Sequence, residues 1–381
     1  MNQITRKKIL IIPHHPVGKF TKIRLGEVAK FLAKNNEVYL LNWNAAEENY
    51  CLKNRIIYLL KDLFRSRKIY KESSLNIVEF PILHRPMFLV PRFNAFWLRQ
   101  FIKKTAIDAV INGSYYMFDI KKNKDFRYIV DLADLPVING QDPVEIFIES
   151  VLRKEIKKAD AVTVVSIGLK EFVLKKYKCE SCFIPNGADL CKIKSVKQEE
   201  TERLRKQYGL HGKWIIGYIG FIGEWVDVAF IVDVFKVILK KMPDAYLLWV
   251  GASPDIDRLR ALYGTDNITF TGGIKGDIEP YFGLLDLAML PHKKCLFQDL
   301  AFHIKLIEYT AAKKKVISST IKEVERLAFP NVHIADLEVK KWQEAIINIR
   351  NVSWDEKWNT LTDNYNWEKI GEMFLETVNK R

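Results

Sequence analysis

The sequence predicts an α/β protein made of two doubly wound domains. Short apolar runs of strand length alternate with stretches of helical period along most of the chain. The alternation breaks at the polar stretch 195–202 and then starts again. A length of 381 residues also fits two domains of ordinary size. We therefore expect one domain over residues 1–195, a second over 196–365, and a final helix over 366–381 that packs back toward the first domain.

The first half opens with a strand, a loop, a helix and a second strand, which is the first unit of a doubly wound sheet. Further apolar runs predict the remaining strands. The predicted strands are 8–12, 37–41, 76–80, 109–112, 128–131, 161–166 and 181–184. The predicted helices are 24–35, 142–158 and 169–176. These elements make up one α/β sheet.

The second half repeats this organisation. Its predicted strands are 214–219, 245–250, 268–271, 287–290 and 315–318. Its predicted helices are 228–241, 255–263, 278–284, 304–312 and 340–348. Ligands of open α/β sheets bind beyond the carboxyl ends of the strands. We therefore expect the functional site in a cleft between the two domains.

The composition is that of an ordinary globular protein, with 48% hydrophobic and 28% charged residues, which excludes long disorder. No apolar run is long enough for a transmembrane helix, and the first residues do not have the pattern of a secretory signal. We expect a cytoplasmic protein, and its five cysteines fit that compartment. The Cys179-x-x-Cys182 pair is either half of a zinc site or a loop before a strand. Because no second ligand pair follows at zinc spacing, no metal is expected.

The positive charge is concentrated in the first quarter of the chain. Residues 1–104 hold 20 Lys+Arg and 7 Asp+Glu, a net +13 of the total +14. Within them, 51–71 has apolar residues at helical spacing among basic ones, which predicts an amphipathic basic helix. A second patch, 85–104, mixes aromatic and basic residues. We expect residues 51–104 to contact an anionic membrane surface on the inner face of the cell membrane. The alternative is that these apolar residues face the domain's own core; nucleic acid is not expected, since no binding motif is present.

Five motifs in order make the sequence recognisable. They are ADAVTVVSIGLKEFVLKKYKCESCFIPNGAD from 159, GYIGFIGEWVD from 217, ITFTGGIKGDIEPYFGLLDLAMLPH from 268, HIKLIEYTAAKKKVISS from 303 and NWEKIGEMF from 366. Together they resemble GT-B-fold glycosyltransferases of the family 4 type, especially bacterial polysaccharide members. The resemblance implies two Rossmann-like domains facing across a cleft and a nucleotide-diphospho-sugar donor bound mainly by the second. It also implies retention of configuration without a metal or other cofactor.

Lys305 and Glu308 are the first candidates for donor binding. They are three residues apart in a stretch of helical period, so they share one helix face. A carboxylate can accept hydrogen bonds from both ribose hydroxyls, and an ammonium can sit against a diphosphate. The resemblance assigns these roles to Glu308 and Lys305; the alternative is an ion pair within the helix. His303 and Ile304 open that helix, whose N-terminus suits a phosphate.

Two loops supply further donor-side candidates. Gly220 and Gly223 follow a predicted strand, where glycine lets the backbone approach a diphosphate closely, and Glu224 comes next. Gly273 and Ile274 precede a helix; they face the nucleotide base or form a plain turn. Three other residues belong to the first of these loops. Asp227 is expected to cap the following helix. Phe221 and Trp225 stand where, by the resemblance, many family members carry Arg and Lys, which leaves Lys305, Lys275 or Lys293 to carry the charge.

Leu300 is the main departure from the family pattern. The family has a pair of glutamates eight positions apart, of which Glu308 is the second, and the first lies near the donor sugar. Here the first position is Leu300, with Asp299 beside it. Relatives that share the GEW-x-D opening also dispense with that acid, so we do not interpret the change as loss of activity.

The first half contributes the acceptor-side candidates. His14 and His15 end the first strand, where a histidine can contact an acceptor or act as a base, or else be a polar loop residue. Gly18 would let this loop lie close to the donor. Asp131 and Asp134 end another strand and are expected on the acceptor side. Catalytic roles are thus expected for Glu308, Lys305 and His14.

The sequence therefore predicts a glycosyltransferase that moves a sugar from a nucleotide-sugar to a polysaccharide, glycolipid or lipid-linked oligosaccharide. Two alternatives stay open. One is a non-catalytic relative that binds nucleotide-sugars or glycans, motivated by Leu300. The other is a nucleotide-sugar epimerase on the same fold, which needs neither an acceptor nor a basic membrane-facing surface.

Overall fold

A computed structural model describes residues 6–15, 23–42, 67–83, 88–134 and 142–380. The chain divides into two compact units. The first comprises Met1–Asn186 together with Trp367–Arg381, and the second is Gly187–Asn366. The first unit therefore ends before the predicted boundary at residue 195, and the last helix belongs to it.

The first unit contains an eight-stranded sheet in the order β3-β4-β2-β1-β5-β6-β7-β8. The strands are β1 (Lys8–Ile12), β2 (Glu37–Asn42), β3 (Lys68–Glu72), β4 (Leu75–Glu79), β5 (Ala109–Asn112), β6 (Arg127–Leu132), β7 (Ala161–Val164) and β8 (Cys182–Phe183). The helices are α1 (Arg24–Leu32), α2 (Val90–Thr105), α3 (Pro143–Lys158) and α4 (Ile167–Tyr177), with the C-terminal helix Trp367–Asn379. Every described pairing is parallel except that of β3 with β4, a strand pair at the sheet edge.

The central strands form the core because both of their faces are covered. β1 reads KILII and is buried from Ile9 onward, as expected of a strand in a parallel sheet.

Helix α3 begins where the Asp142 side chain accepts a hydrogen bond from Val144 N–H. Ser166 caps α4 in the same way, through Leu169 N–H.

The C-terminal helix completes the core of the first unit. Its Ile370, Phe374 and Val378 are buried in the same apolar cluster as Ile9 and Val28. It lies so close to α1 that a β-carbon placed on Gly371 would come within 2.2 Å of the Phe31 ring. Chain order alone would place this helix with the second unit, but its apolar face is covered by the first.

The second unit contains a six-stranded sheet in the order β11-β10-β9-β12-β13-β14, with parallel pairing throughout the described strands. Its strands are β9 (Trp214–Ile219), β10 (Ala245–Val250), β11 (Ile268–Phe270), β12 (Leu287–Leu290), β13 (Lys315–Ser318) and β14 (Val332–Ile334). Its helices are α5 (Leu190–Lys194), α6 (Gln198–Gln207), α7 (Val228–Lys241), α8 (Ile256–Tyr263), α9 (Glu279–Leu284), α10 (Leu296–Leu300), α11 (Ile304–Ala311), α12 (Lys322–Leu327) and α13 (Val339–Arg350). Two 3-10 turns, Glu356–Thr360 and Asp363–Tyr365, follow.

Two sequence-based expectations about local structure are wrong. The polar stretch 195–202 is not simply a break, because α6 begins within it. Leu204 is the buried residue of α6, Arg205 donates to the Leu284 carbonyl oxygen at 3.1 Å, and Gly283 lies directly against Thr201. Contacts with α9 therefore hold a helix that has no visible apolar period. The end of the predicted basic helix 51–71 is also wrong, since Lys68–Glu72 is an exposed strand; residues 51–66 lie outside the described part of the chain.

We expect Gly371→Ala to destabilise the first unit. The added methyl group would meet the Phe31 ring and force the C-terminal helix away from α1, at a cost of about 1–3 kcal/mol in the free energy of unfolding. Urea denaturation followed by circular dichroism measures this change. Glu376→Ala, on the exposed face of the same helix, is the matched control and should leave the midpoint unchanged. Equal midpoints for the two variants would contradict the packing described.

Candidate functional site

The loop that follows β9 is held firmly at the carboxyl end of the second sheet. Gly220 N–H donates to the Val250 carbonyl oxygen at 2.7 Å, and Ile222 N–H donates to that of Ala252 at 2.9 Å. Asp227 N–H donates to the Pro291 carbonyl oxygen at 2.8 Å, at the end of the neighbouring strand β12. The loop is therefore fixed by the ends of both strands that flank β9.

Two glycines and a lysine are stacked at this point. Gly251 has φ +139° and Gly220 has φ +152°, backbone conformations that favour glycine. A β-carbon on Gly251 would lie 1.9 Å from the Gly220 carbonyl oxygen, and one on Gly220 would lie 2.0 Å from Cε of Lys305. The alkyl stem of Lys305 thus packs directly on the Gly220 backbone, which in turn packs on Gly251.

Lys305 and Glu308 lie together on α11. Lys305 Nζ is 3.7 Å from a carboxylate oxygen of Glu308, and each side chain is about one quarter exposed, at 23% and 25%. The helix is tied to the glycine loop by Tyr309, whose hydroxyl accepts a hydrogen bond from Ile219 N–H at 2.9 Å. The structure therefore brings Gly220, Lys305 and Glu308 into one site. The ion pair within the helix is also present, and it leaves both charged groups accessible.

The start of α11 is held by a pair of buried histidines. His303 donates from Nε2 to the Gln298 carbonyl oxygen at 2.9 Å, and His292 donates from Nδ1 to the Gln298 side-chain oxygen at 3.0 Å. Burial lowers the pKa of His303, and burial together with the nearby His303 lowers that of His292 to about 3. Both rings are therefore neutral near pH 7. The His303 side chain serves to position the helix start, where it precedes Ile304, rather than being exposed to a ligand.

The rest of the glycine loop is more open. Asp227 caps α7 by accepting a hydrogen bond from Phe230 N–H at 3.2 Å, which confirms the capping prediction. Gly223 lies directly against the indole ring of Trp225. Glu224, between them, is exposed.

The loop that contains Gly273 and Ile274 reaches the same end of the sheet. Gly251 N–H donates to the Gly272 carbonyl oxygen at 3.2 Å. Gly273, the next residue, therefore lies close to Gly251 and Gly220. Gly273 is exposed, whereas Ile274 lines an open cavity of about 580 Å³ together with its neighbour Lys275, Lys192 of α5 and Arg203 of α6.

Asp299 does not replace the acid that the family pattern places at position 300. Its carboxylate accepts a hydrogen bond from Lys322 N–H at 3.1 Å and is 3.8 Å from Lys322 Nζ. Asp299 is buried, and its side chain is engaged with the start of α12. Leu300 ends α10, so the described residues offer no acid at this position of the family pair.

In the first unit, Asp131 is completely buried at the end of β6. Its two carboxylate oxygens accept hydrogen bonds from Arg24 at 2.9 and 3.1 Å and from the Thr163 hydroxyl at 2.6 Å. Burial by itself would raise the pKa of Asp131, but the Arg24 guanidinium holds it below its ordinary value. The carboxylate, which was expected on the acceptor side, therefore contacts Arg24 and Thr163 in this structure.

Arg24 was not predicted as a site residue. Besides Asp131 it donates to the carbonyl oxygens of Ile184 and Pro185, each at 2.7 Å, and to the Asn186 side chain at 3.1 Å. A single buried guanidinium thus joins the end of β6 to the last residues of the unit. In the sequence, the PNG motif after β8 indicates the segment that accepts these hydrogen bonds. No motif near Arg24 indicates the side chain that donates them.

His14 packs flat on the backbone of Gly113, at the end of β5. Its Nε2 donates to the Asp131 carbonyl oxygen at 3.0 Å and lies 3.4 Å from the carboxylate. Burial lowers the pKa of His14, so the ring is neutral near pH 7, with its hydrogen on Nε2 and an acceptor lone pair on Nδ1. His15 and Asp134 are exposed, and Gly18 lies outside the described residues.

Comparison with known proteins agrees with this architecture. Residues 213–351 match the family described as glycosyl transferases group 1. The second unit is therefore similar to the group 1 glycosyl transferases over this range. The matched range includes Gly220, Lys305 and Glu308, and it confirms the resemblance predicted from the motifs.

One curated relative is TuaH of Bacillus subtilis (strain 168), a glycosyltransferase named for teichuronic acid biosynthesis. It is 26% identical over 224 residues, which cover 54% of each chain, so the match spans about half the length of that relative. Among solved structures, a glycosyltransferase from Rickettsia africae is 18% identical and has a TM-score of 0.74, with 98% of both chains covered. HepE from Anabaena is 14% identical with a TM-score of 0.67, covering 99% of this chain and all of the other. These likenesses show the GT-B fold along nearly the whole chain.

We expect Asp131→Asn to destabilise the first unit by about 3–5 kcal/mol, because the substitution leaves the buried Arg24 guanidinium without its negative partner. Chemical denaturation at pH 7 measures the loss, and Asp134→Asn is the exposed control. The pKa of Asp131 is depressed in the folded state, so its contribution is complete above the ordinary value of 3.8 and is lost as the pH falls through the folded-state pKa. The difference between wild type and variant should therefore shrink in strong acid. A constant difference down to the lowest pH at which the protein folds would contradict this assignment.

Proposed function

We propose that this protein transfers a sugar from a nucleotide-diphospho-sugar to a growing polysaccharide, a glycolipid or a lipid-linked oligosaccharide, with retention of configuration. The observation that carries the proposal is the accessible Lys305–Glu308 pair packed on the Gly220 backbone, within the segment that matches the glycosyl transferase family. HepE, which shares the fold, has been crystallised with UDP and glucose, and TuaH is named for teichuronic acid biosynthesis. Both support a nucleotide donor and a glycan acceptor.

In this proposal the site stabilises the leaving nucleoside diphosphate. Glu308 accepts hydrogen bonds from the ribose hydroxyls, while Lys305 and the N-terminal end of α11 hold the diphosphate. Gly220 has no side chain that would keep a phosphate away from the backbone. Negative charge that develops on the leaving group meets groups already in place, which is the main catalytic contribution of such a site. No metal or other cofactor is part of the proposal.

On the first unit, His14 is proposed to contact the acceptor. Its Nε2–H is committed to the Asp131 carbonyl, so Nδ1 is the atom that can accept a hydrogen bond from an acceptor hydroxyl. Asp131 then acts through His14 as a positioning residue. His15 and Asp134 keep their predicted acceptor-side role.

A non-catalytic relative is the second candidate, because Leu300 replaces an acid and Asp299 is engaged elsewhere. Such a protein would bind nucleotide-sugars without turnover. Release of free nucleoside diphosphate from a donor panel would exclude it, whereas conversion of the donor sugar into its epimer without any acceptor would instead indicate an epimerase.

We expect Glu308→Gln and Lys305→Ala to weaken nucleoside diphosphate binding by about tenfold or more, since each removes a charged group from the ligand contact. Titration calorimetry with UDP, GDP, ADP, CDP and dTDP measures the affinity and identifies the base. Glu344→Gln, an exposed carboxylate on α13, is the control. Unchanged affinity in Glu308→Gln for the best nucleotide would refute the ribose assignment.

We further propose that the first unit contacts an anionic membrane. The described part of the basic quarter exposes Phe88 at 66%, Phe96 at 52% and Ile69 at 58%. Arg67, just before β3, stacks 3.4 Å above the Trp97 ring of α2, and that ring contacts Phe96 with 4.9 Å between the centroids. A basic side chain therefore meets exposed aromatic surface here. Among the described helices, none has the length and apolarity required to cross a bilayer.

We expect the double variant Phe88→Ser, Phe96→Ser to bind anionic vesicles less than wild type, because insertion of apolar side chains adds to charge attraction. Sedimentation with vesicles of phosphatidylcholine, with and without phosphatidylglycerol, measures this at low and high salt. Leu174→Ser, exposed on α4 of the same unit, is the control. Equal recovery of wild type on neutral and anionic vesicles at low salt would rule out the membrane contact.

A further inference from the structure

Two exposed aromatic side chains stand in the loop after Gly220. Phe221 is 49% exposed and Trp225 is 39% exposed. Their ring centroids are 5.8 Å apart and the ring planes differ by 33°, so the two rings contact each other as a tilted pair that stays partly exposed. Large aromatic side chains left this exposed beside a binding site indicate a contact surface rather than a packing need.

The rings are held in place by the protein itself. The indole of Trp225 rests on Gly223, where a β-carbon would come within 2.5 Å of the ring. The buried Tyr218 hydroxyl also donates to the Phe221 carbonyl oxygen at 3.1 Å. Lys293 N–H donates to the Trp225 carbonyl oxygen at 2.8 Å, which fixes the backbone of the loop. A ligand would therefore meet a preorganised surface, at little cost in side-chain entropy.

The position of this surface limits what it can bind. Phe221 follows directly on Gly220, whose backbone carries the Lys305 stem, so the aromatic pair borders the proposed diphosphate site. The exposed Glu224 lies between the two aromatic residues in sequence, and Lys293, also exposed, is bonded to Trp225. Exposed aromatic faces suit a ring with apolar C–H faces.

We propose that Phe221 and Trp225 form a platform on which the pyranose ring of a sugar stacks during transfer. The inference rests on the proposed function and adds a binding role to residues that replace the cationic side chains common in this loop. The aromatic pair contributes no charge to the diphosphate and provides instead an exposed apolar contact. The stacked ring is either the transferred sugar of the donor or the terminal sugar of the acceptor.

The test compares Trp225→Leu and Phe221→Leu with wild type. Each variant keeps an apolar side chain and removes the ring. Trp225→Tyr restores a ring and should recover part of the binding, and Leu262→Ala, at an exposed position on α8, is the control. The probes are UDP, UDP-glucose, UDP-N-acetylglucosamine, GDP and GDP-mannose for the donor, and octyl glucoside and octyl N-acetylglucosaminide for the acceptor. Calorimetry measures affinity, and saturation-transfer NMR shows which sugar protons contact the protein.

If the platform holds the donor sugar, the two leucine variants bind the preferred nucleotide-sugar about tenfold more weakly but the bare nucleotide within about twofold of wild type. If it holds the acceptor sugar, donor binding is unchanged and saturation of the octyl glycoside ring protons is lost in the variants. Either result supports the platform.

Wild-type binding of nucleotide together with unchanged sugar binding in both leucine variants would overturn the platform and leave the proposed function standing. The same conclusion would follow if the wild type bound each nucleotide-sugar no more tightly than the bare nucleotide and showed no saturation transfer to either octyl glycoside. A wild type that binds none of the nucleotides would instead refute the proposed function, and the platform with it.

Discussion

The candidate site depends on two close contacts: the Gly220 backbone packs on Gly251, and the Lys305 side chain packs on Gly220. Neither glycine position has room for a β-carbon, and both have backbone angles that favour glycine. Because the Lys305 stem lies on Gly220, its ammonium is held near the carboxyl end of β9 instead of sampling the solvent. The Tyr309 hydroxyl, bonded to Ile219 N–H, keeps α11 in the register that makes this possible.

The first unit uses a different interaction at the corresponding end of its sheet. There Asp131 orients Arg24 through its buried carboxylate and His14 through its backbone carbonyl, and Arg24 extends the contact to the carbonyl groups after β8. A buried ion pair is tolerable only when the remaining donors and acceptors are satisfied. Here Thr163 and the backbone carbonyls satisfy them, so the pair specifies an arrangement of loops rather than simply adding stability.

The glycine loop of the second unit shows how a shared fold acquires its own chemistry. The resemblance implies cationic side chains here that hold phosphate, whereas this chain has Phe221 and Trp225. The sequence then leaves Lys305, Lys275 or Lys293 to supply the charge that the proposed diphosphate site requires. The GT-B fold accommodates the exchange because the loop backbone is fixed by hydrogen bonds to β10 and β12, and these do not depend on the side chains.

Much of the fold could be predicted from the sequence because it rests on local period. Strands such as Trp214–Ile219 and helix Val228–Lys241 have the predicted bounds, since each is a clear apolar run or an amphipathic stretch. Helix Gln198–Gln207 and strand Lys68–Glu72 could not be found, because the first buries very little and the second is wholly exposed. Local pattern carries no signal where an element is held by a few distant contacts.

Some features of the candidate site could likewise be predicted from the sequence, and others could not. The sequence by itself determined the alternation of strands and helices, the helix face shared by Lys305 and Glu308, and the glycines of the loop after β9. Only the tertiary structure decided that Gly251 supports Gly220 and that Asp131 is a buried anchor for Arg24. Those contacts join residues far apart in the chain, and their partners follow from the order of the strands in each sheet, which no local spacing of residues encodes.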